Sequence, residues 1–315
     1  MNNNFEQQLI ELSKIVGKNK TAFCIGTFDG VHKGHVSLFN SLISLSKERD
    51  LKSLSLIFKK RPREIINENY FRPYLSTLSH RINKINDLGI DFVFPLEFNQ
   101  ELKKLPAEFF LKKLLKFANI KSMVVSLNTK IGSDQISGDK LKSLCETLGV
   151  NVHFINMKNI QEKTISSSKI SNLLQQGEII NANDYLGENY ILTGKVEKGD
   201  QIGRTIGFPT ANIKLEEKIQ LPSDGIYACY VRLGEKKLLE GALSIGNRPT
   251  IKDDLSHKIE VFIIDFKENI YDEIIEVLII DKVRDQVDFG SLEILKNQMK
   301  KDIIKIKNIL NKENE

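Results

Sequence analysis

The chain predicts two domains, a doubly wound α/β domain followed by a small antiparallel β-domain with a helix packed on it. Three observations lead to this. From residue 21 to about residue 185, short apolar runs alternate with helix-period stretches. After about Tyr190 the runs become evenly spaced strand-like segments broken by glycine and proline, and the last apolar residues recur every three or four positions. A chain of 315 residues gives each half enough material for its own core, and it carries no internal repeat and no low-complexity linker.

In the first half, Thr21–Ile25, Leu54–Phe58, Phe92–Leu96, Met123–Ser126 and Val152–Ile155 are rich in valine, isoleucine and phenylalanine and predict strands. Between them, 35–47, 78–88, 107–117 and 140–148 carry helical periodicity. Strand–helix alternation implies parallel strands with crossover helices, and such sheets hold their ligands at the C-terminal strand ends. In the second half, Ile191–Val196, Tyr227–Leu233, Gly241–Ile245, Ile259–Ile264 and Ile274–Ile280 predict a small closed barrel or sandwich. Leu292, Leu295, Met299, Ile303, Ile306 and Leu310 form one stripe of a terminal helix.

The first strand runs straight into Gly26-Thr-Phe28-Asp29-Gly30-Val-His32-Lys-Gly34-His35 at the mouth of the first helix. Glycines let a polyphosphate approach the backbone, and a helix start presents unpaired N–H groups and a partial positive charge. Triphosphate chemistry is expected. The alternative is a pair of surface histidines, since no cysteine or carboxylate at ligand spacing completes a metal site. The chain has only five histidines, and two of them set among three glycines after an apolar strand favour the functional reading.

A second constellation spans Gly199, Gly203-Arg204 and Gly207-Phe-Pro-Thr210-Ala-Asn212. It is neither a Walker loop nor a dinucleotide fingerprint. The hydroxyl of Thr210 and the amide oxygen of Asn212 lie on one face of an extended segment, where they can reach one Mg²⁺. An ordinary glycine-rich barrel loop would look similar. Glu260 interrupts the apolar run Ile259–Ile264 and is either on the solvent face or a buried base; alternation leaves both open.

Composition narrows the classes. Cys24, Cys145 and Cys229 are scattered and odd in number, which argues against disulfides and zinc sites and fits a reducing cytoplasm. The formal charge of +5 is spread among acids with no arginine-rich arm, so no nucleic-acid partner is expected and small anionic substrates suffice. Residues 1–17 form no signal peptide and have no assignable role, and no segment is long enough to span a membrane. No pattern specifies an oligomeric state.

Together the two constellations resemble the bacterial bifunctional riboflavin kinase/FMN adenylyltransferases over essentially the whole chain. Asp224-Gly225-Ile-Tyr227, Gly246-Asn247-Arg248-Pro249-Thr250 and Glu260 with Asp265-Phe266 also match. The resemblance implies a Rossmann-like nucleotidyltransferase domain over 1–186 and a six-stranded antiparallel kinase barrel over 187–315. It implies riboflavin, FMN and ATP as substrates, with Mg²⁺. By the same resemblance, Thr210 and Asn212 hold Mg²⁺–ATP, Glu260 is the base for the riboflavin 5′-hydroxyl, and the Gly199–Gly207 loop with Arg204 binds phosphate. Arg284 and Phe289 close over the flavin. In the first half Gly26, Phe28, Asp29, Gly30 and Gly34 cradle the nucleotide, His32 and His35 stabilise charge on the triphosphate, Asn128 contacts nucleotide or flavin, and Ser167, Ser168 and Lys169 bind phosphate.

The chain also departs from that pattern. A usual Phe-x-Pro-His-Pro-Arg is Phe58-Lys-Lys60-Arg61-Pro62-Arg63, Thr129 and Ile131 replace phenylalanines near Asn128, and Ser171 replaces a phosphate-binding arginine. Lys169 offers a point charge there but not arginine's bidentate fork. In the barrel, Gln286 and Phe262 stand where glutamate and histidine are common. Two other readings follow, a kinase with a weak or structural adenylyltransferase half and a flavin-binding regulatory protein. The latter would not need Glu260, Thr210 and Asn212.

Overall fold

The computed structural model describes residues 4–155, 165–199, 203, 207–234, 238–247 and 257–313. The predicted Arg204, with Arg248, Pro249 and Thr250, lies outside the described residues. By packing, the chain divides into one unit of Met1–Arg72 with Leu78–Ser166 and another of Pro73–Thr77 with Ser167–Glu315.

The first unit runs α1 (Phe5–Val16), β1 (Thr21–Gly26), α2 (Lys33–Glu48), β2 (Lys52–Phe58), α3 (Pro62–Ile66), α4 (Leu78–Asp87), β3 (Phe92–Leu96), α5 (Gln100–Lys104), α6 (Ala107–Ala118), β4 (Ile120–Ser126), α7 (Gly138–Thr147) and β5 (Asn151–Ile155). The strands form a parallel sheet in the order β3-β2-β1-β4-β5. Side chains alternate between two cores. Phe23, Leu54, Leu56, Met123 and Val125 face α1, α6 and α7, whereas Ala22, Cys24, Ile57 and Val124 face α2 and α4. This is why each strand is apolar on consecutive residues. Because the chain builds outward from β1 to β3 and then returns to add β4 beside β1, the topological switch point lies between β1 and β4.

The N-terminal segment has a role that the sequence reading missed. Phe5, Leu9, Leu12 and Val16 of α1 are completely buried, and Phe5 stacks on Phe110 of α6 at 5.7 Å. Gln8 fixes the helix to the end of β3 by exchanging hydrogen bonds with the backbone of Glu97. The helical spacing of these apolar residues was the available signal.

The second unit holds α8 (Ser167–Gln176), α9 (Ile179–Leu186), β6 (Tyr190–Glu197), β7 (Ala211–Leu215), β8 (Gly225–Leu233), β9 (Leu239–Asn247), β10 (His257–Ile263), β11 (Ile274–Arg284) and α10 (Leu292–Glu313). Six strands close an antiparallel barrel in the order β10-β7-β6-β11-β8-β9, which decides between barrel and sandwich. The strand that periodicity did not reveal is β7, five residues long and fused to the glycine-rich constellation. Packing places α8 and α9 with this barrel although they precede the functional division expected at 186/187. Asn183 donates to the Ile279 carbonyl and accepts from the Tyr190 amide, and the Ser223 amide donates to the Leu174 carbonyl.

Only part of the α10 stripe is buried: Leu292 is exposed, while Ile306 and Leu310 are fully enclosed against Ala228, Ile280 and Val283 of the barrel. Among the described residues no helix is long and apolar enough to cross a membrane.

Candidate active sites

In the first unit the Gly26–His35 segment turns sharply from β1 into α2, at the switch point. Phe28 and Val31 adopt positive φ angles of 49° and 39°, conformations that non-glycine residues hold only where surrounding structure enforces them, typically at functional sites. Gly26 permits the turn: a Cβ there would lie 2.8 Å from the Phe28 ring. The ring fills that space and packs on Phe39 and edge-on against His35.

His32 is the N-cap of α2, and its Nδ1 accepts from the His35 amide at 3.4 Å. Since Nδ1 acts as acceptor, the neutral ring carries its proton on Nε2, which can donate to an anion. The two imidazoles stack 3.7 Å apart. His32 is 2% exposed, and burial pushes its pKa down from 6.5 to about 4. His35 is depressed well below 6.5 by burial first, then by His32, Lys84 and Arg81. Both rings are therefore neutral donors near neutrality. His35 Nδ1 is buried with no hydrogen-bond partner among the described residues, the condition of a group that a polar ligand completes.

That depression makes stability depend on pH. Below 6.5 the unfolded chain binds a proton at His32, while the folded chain does not until about pH 4. Acidification through this window therefore favours unfolding, by about 3 kcal/mol for a shift of this size. Urea unfolding followed by circular dichroism should show stability falling from pH 6.5 to 4, and His32→Gln should flatten much of that slope. An unchanged slope in the variant would refute the assignment.

Around the C-terminal ends of β1, β2 and β4 lies a cleft of about 650 Å³. Its walls are mainly apolar and include Ile25, Phe58, Phe98, Phe110 and Ile131, with Thr27, Asn128, Lys103 and Lys130 among the polar and charged groups. Thr129 also lines it and hydrogen-bonds Ser126 at 2.9 Å. Arg61, where the resemblance leads one to expect histidine, turns onto the opening motif, and its Nη2 meets Asp29 Oδ2 at 2.6 Å with both side chains nearly buried. The departure thus ties the loop after β2 to Asp29. Ser167, Ser168 and Lys169 open α8 in the second unit. Lys169 lies 4.9 Å over the Tyr185 ring, and Ser171 is buried in a 2.8 Å hydrogen bond to Gln220.

In the second unit Thr210 directly precedes β7, and Asn212 is in register with Glu260 of β10. Thr210 Oγ1 donates to Glu260 Oε1 at 3.2 Å, and Lys258 Nζ lies 3.2 Å from the same oxygen. Ile259, Val261 and Ile263 fill the barrel, so Glu260 points outward with Lys258 and Phe262. That outer face is covered by α10. A cavity of about 270 Å³ lies there, lined by Glu260, Phe262, Arg284, Phe289, Leu295 and Met299 among others. Arg284 is held by Asp302 through contacts of 2.8 to 3.2 Å and stacks on Phe289 at 5.2 Å. Gln298 braces Asp302 at 2.8 Å. Asp302 breaks the apolar stripe of α10, a signal that the sequence reading passed over, as it did Lys258 two residues before Glu260. Gln286 donates to Ser244 Oγ at 2.9 Å.

The glycines of this constellation serve close approach. A Cβ at Gly199 would lie 2.0 Å from the Asn212 amide, and one at Gly203 would lie 2.3 Å from the Phe208 carbonyl. Gly207 has φ +88°. On the other side of Thr210 lies a second groove of about 500 Å³, lined by Pro209, Phe266, Asn269 and Tyr271 among others. Thr210 lines both cavities.

Two family models match the chain, FAD synthetase over residues 15–169 and riboflavin kinase over residues 186–310. Among curated relatives, the bifunctional riboflavin kinase/FMN adenylyltransferase of Buchnera aphidicola subsp. Schizaphis graminum is 32% identical, with 93% of this chain and 95% of the relative covered. The proteins of that name from Haemophilus influenzae and Escherichia coli K12 are also 32% identical, covering 90% and 88% of this chain and 92% and 89% of theirs. A crystal structure described as a macrolide-efflux protein from Streptococcus pneumoniae has the same architecture, with a TM-score of 0.85 and 27% identity over 94% of this chain and 97% of that one. With matches to both domain models in the same order and relatives aligned almost end to end, the chain belongs to the bifunctional riboflavin kinase/FMN adenylyltransferase family.

Proposed function

We propose that the barrel unit phosphorylates riboflavin to FMN with ATP, and that the parallel-sheet unit joins FMN to AMP from a second ATP, releasing pyrophosphate. The observation that carries the kinase half is the meeting of two cavities at Thr210, with Glu260 within hydrogen-bond reach of it. Riboflavin occupies the cavity under α10, against Phe289 and Arg284, and the nucleotide lies in the groove of Phe266 and Tyr271. The 5′-hydroxyl then meets the γ-phosphate at the junction. Glu260 takes the hydroxyl proton as the new O–P bond forms and the bond to the β-phosphate oxygen breaks. Thr210 and Asn212 supply hard oxygen donors that would fit Mg²⁺. When bound, the ion neutralises charge on the transferred phosphoryl group. Amides of the Gly199–Gly207 loop, with Arg204, hold the phosphates.

In the first unit FMN occupies the apolar cleft, with Asn128 at its polar edge. The triphosphate lies at the N-terminus of α2, where Nε2 of His32, His35 and the amides after Gly26 donate to it. The FMN phosphate attacks the α-phosphorus and pyrophosphate leaves; no protein nucleophile is required, and preorganised donors stabilise the developing charge. The functional division falls near residue 187, in keeping with a riboflavin kinase match that begins at residue 186. Three free, buried cysteines suit a reducing cytoplasm.

A second reading, a kinase with slow adenylyl transfer, is favoured by one observation: Ser171 is buried against Gln220 where the family has a phosphate-binding arginine. Incubating the protein with riboflavin, ATP and Mg²⁺ and resolving the flavins by chromatography separates the readings. Both FMN and FAD are expected. FMN without FAD, even when FMN is added, would leave the kinase alone, and no turnover would leave a flavin-binding protein.

A further inference from the structure

Arg81 of α4 is 1% exposed and is among the largest fully buried side chains of the described residues. A buried guanidinium costs several kcal/mol in desolvation unless its hydrogen bonds are met, so an apolar residue would serve a merely structural purpose at lower cost. Its bonds reach two loops at once. Nη1 donates to the carbonyl of Thr27 at 2.7 Å and to that of Phe58 at 3.3 Å, and Nη2 points at the Lys59 carbonyl at 3.4 Å.

Thr27 lies inside the opening motif, between Gly26 and Phe28, while Phe58 and Lys59 begin the loop that carries Arg61 to Asp29. Thr27 and Phe58, at the ends of the neighbouring strands β1 and β2, also both line the cleft. One side chain therefore sets the spacing between the ends of β1 and β2, where the cleft opens. Its charge is felt in the site as well, since Arg81 and Lys84 are among the causes that hold His35 neutral.

We propose that Arg81 is a positioning residue for adenylyl transfer: its guanidinium fork fixes the two adjacent strand ends that line the FMN cleft and gives the triphosphate end of the site a fixed positive charge. This rests on the assignment of FMN adenylylation to the first unit. Lysine at this position would keep the charge but lose the planar fork that spans three carbonyls.

The full chain offers an internal control, because riboflavin phosphorylation is performed by the other unit. For Arg81→Lys, adenylylation of supplied FMN should show an apparent KM for FMN raised about tenfold or more, the scale expected of a small misplacement. Riboflavin phosphorylation by the same preparation should stay within about twofold of the parent. Arg81→Met, which also removes the charge, should lose more in kcat/KM than Arg81→Lys. A purely structural role would instead lower kcat in proportion to the folded fraction, with KM for FMN unchanged, and that result in Arg81→Lys would overturn the proposal even if Arg81→Met failed to fold. A parent chain making FMN but no FAD would overturn the assignment of the unit and the proposal together, whereas FAD formation unaffected by Arg81→Lys would overturn the proposal alone.

Discussion

Glu260→Gln is expected to reduce riboflavin phosphorylation by about 10² to 10⁴-fold in kcat, the range attributed to a general base, and to leave adenylylation of added FMN unchanged. The substitution keeps shape and hydrogen-bonding capacity toward Thr210, which now donates to Glu260 at 3.2 Å, but an amide cannot take the hydroxyl proton. The fold should be unaffected, because Ile259 and Val261 carry the barrel packing on the opposite face of β10. Initial rates of FMN formation, with FAD formation from supplied FMN in parallel, read both activities from one preparation. Kinase activity retained above about a tenth would remove Glu260 as the base. Parallel loss of adenylylation would argue against two separate sites.

His32→Ala should do the reverse, lowering adenylylation by about 10² to 10³-fold, as expected when one preorganised donor to a developing anion is removed. Riboflavin phosphorylation should persist. Alanine also removes the N-cap acceptor of α2, at a cost of about 1 kcal/mol. His32→Asn separates the two effects, since asparagine caps well but does not place a donor where imidazole Nε2 stands. The asparagine variant should regain thermal stability relative to alanine and remain deficient in FAD formation. Full activity in His32→Asn would show that capping, and not charge stabilisation, is what the histidine supplies.

Much of this architecture was legible because its signals are local. Each strand of the parallel sheet was visible as an apolar run, and the strand-to-helix turn at Gly26–His35 announces itself through glycines, two histidines and a helix start. The terminal helix was visible in its stripe. What escaped was short or depended on distant partners. β7 has five residues and begins in a loop motif, so its periodicity is too brief to stand out. Helix α1 carries apolar residues at helical spacing, yet only its packing on α6 shows that it seals one face of the sheet. Arg61 looked like the loss of a family histidine; the fold turns that change into an ion pair with Asp29 from 32 residues earlier.

By itself, then, the sequence determined two fold classes, the strand ends at which ligands would sit, and the types of chemistry available there. The tertiary structure alone decided which side of β10 Glu260 occupies. Alternation divides a strand into two faces without saying which one is core, and the outer face becomes a cavity only because α10 returns across it. The same holds for Arg81: a helix pattern cannot show that a guanidinium is buried, because the carbonyls that satisfy it come from two other strand ends.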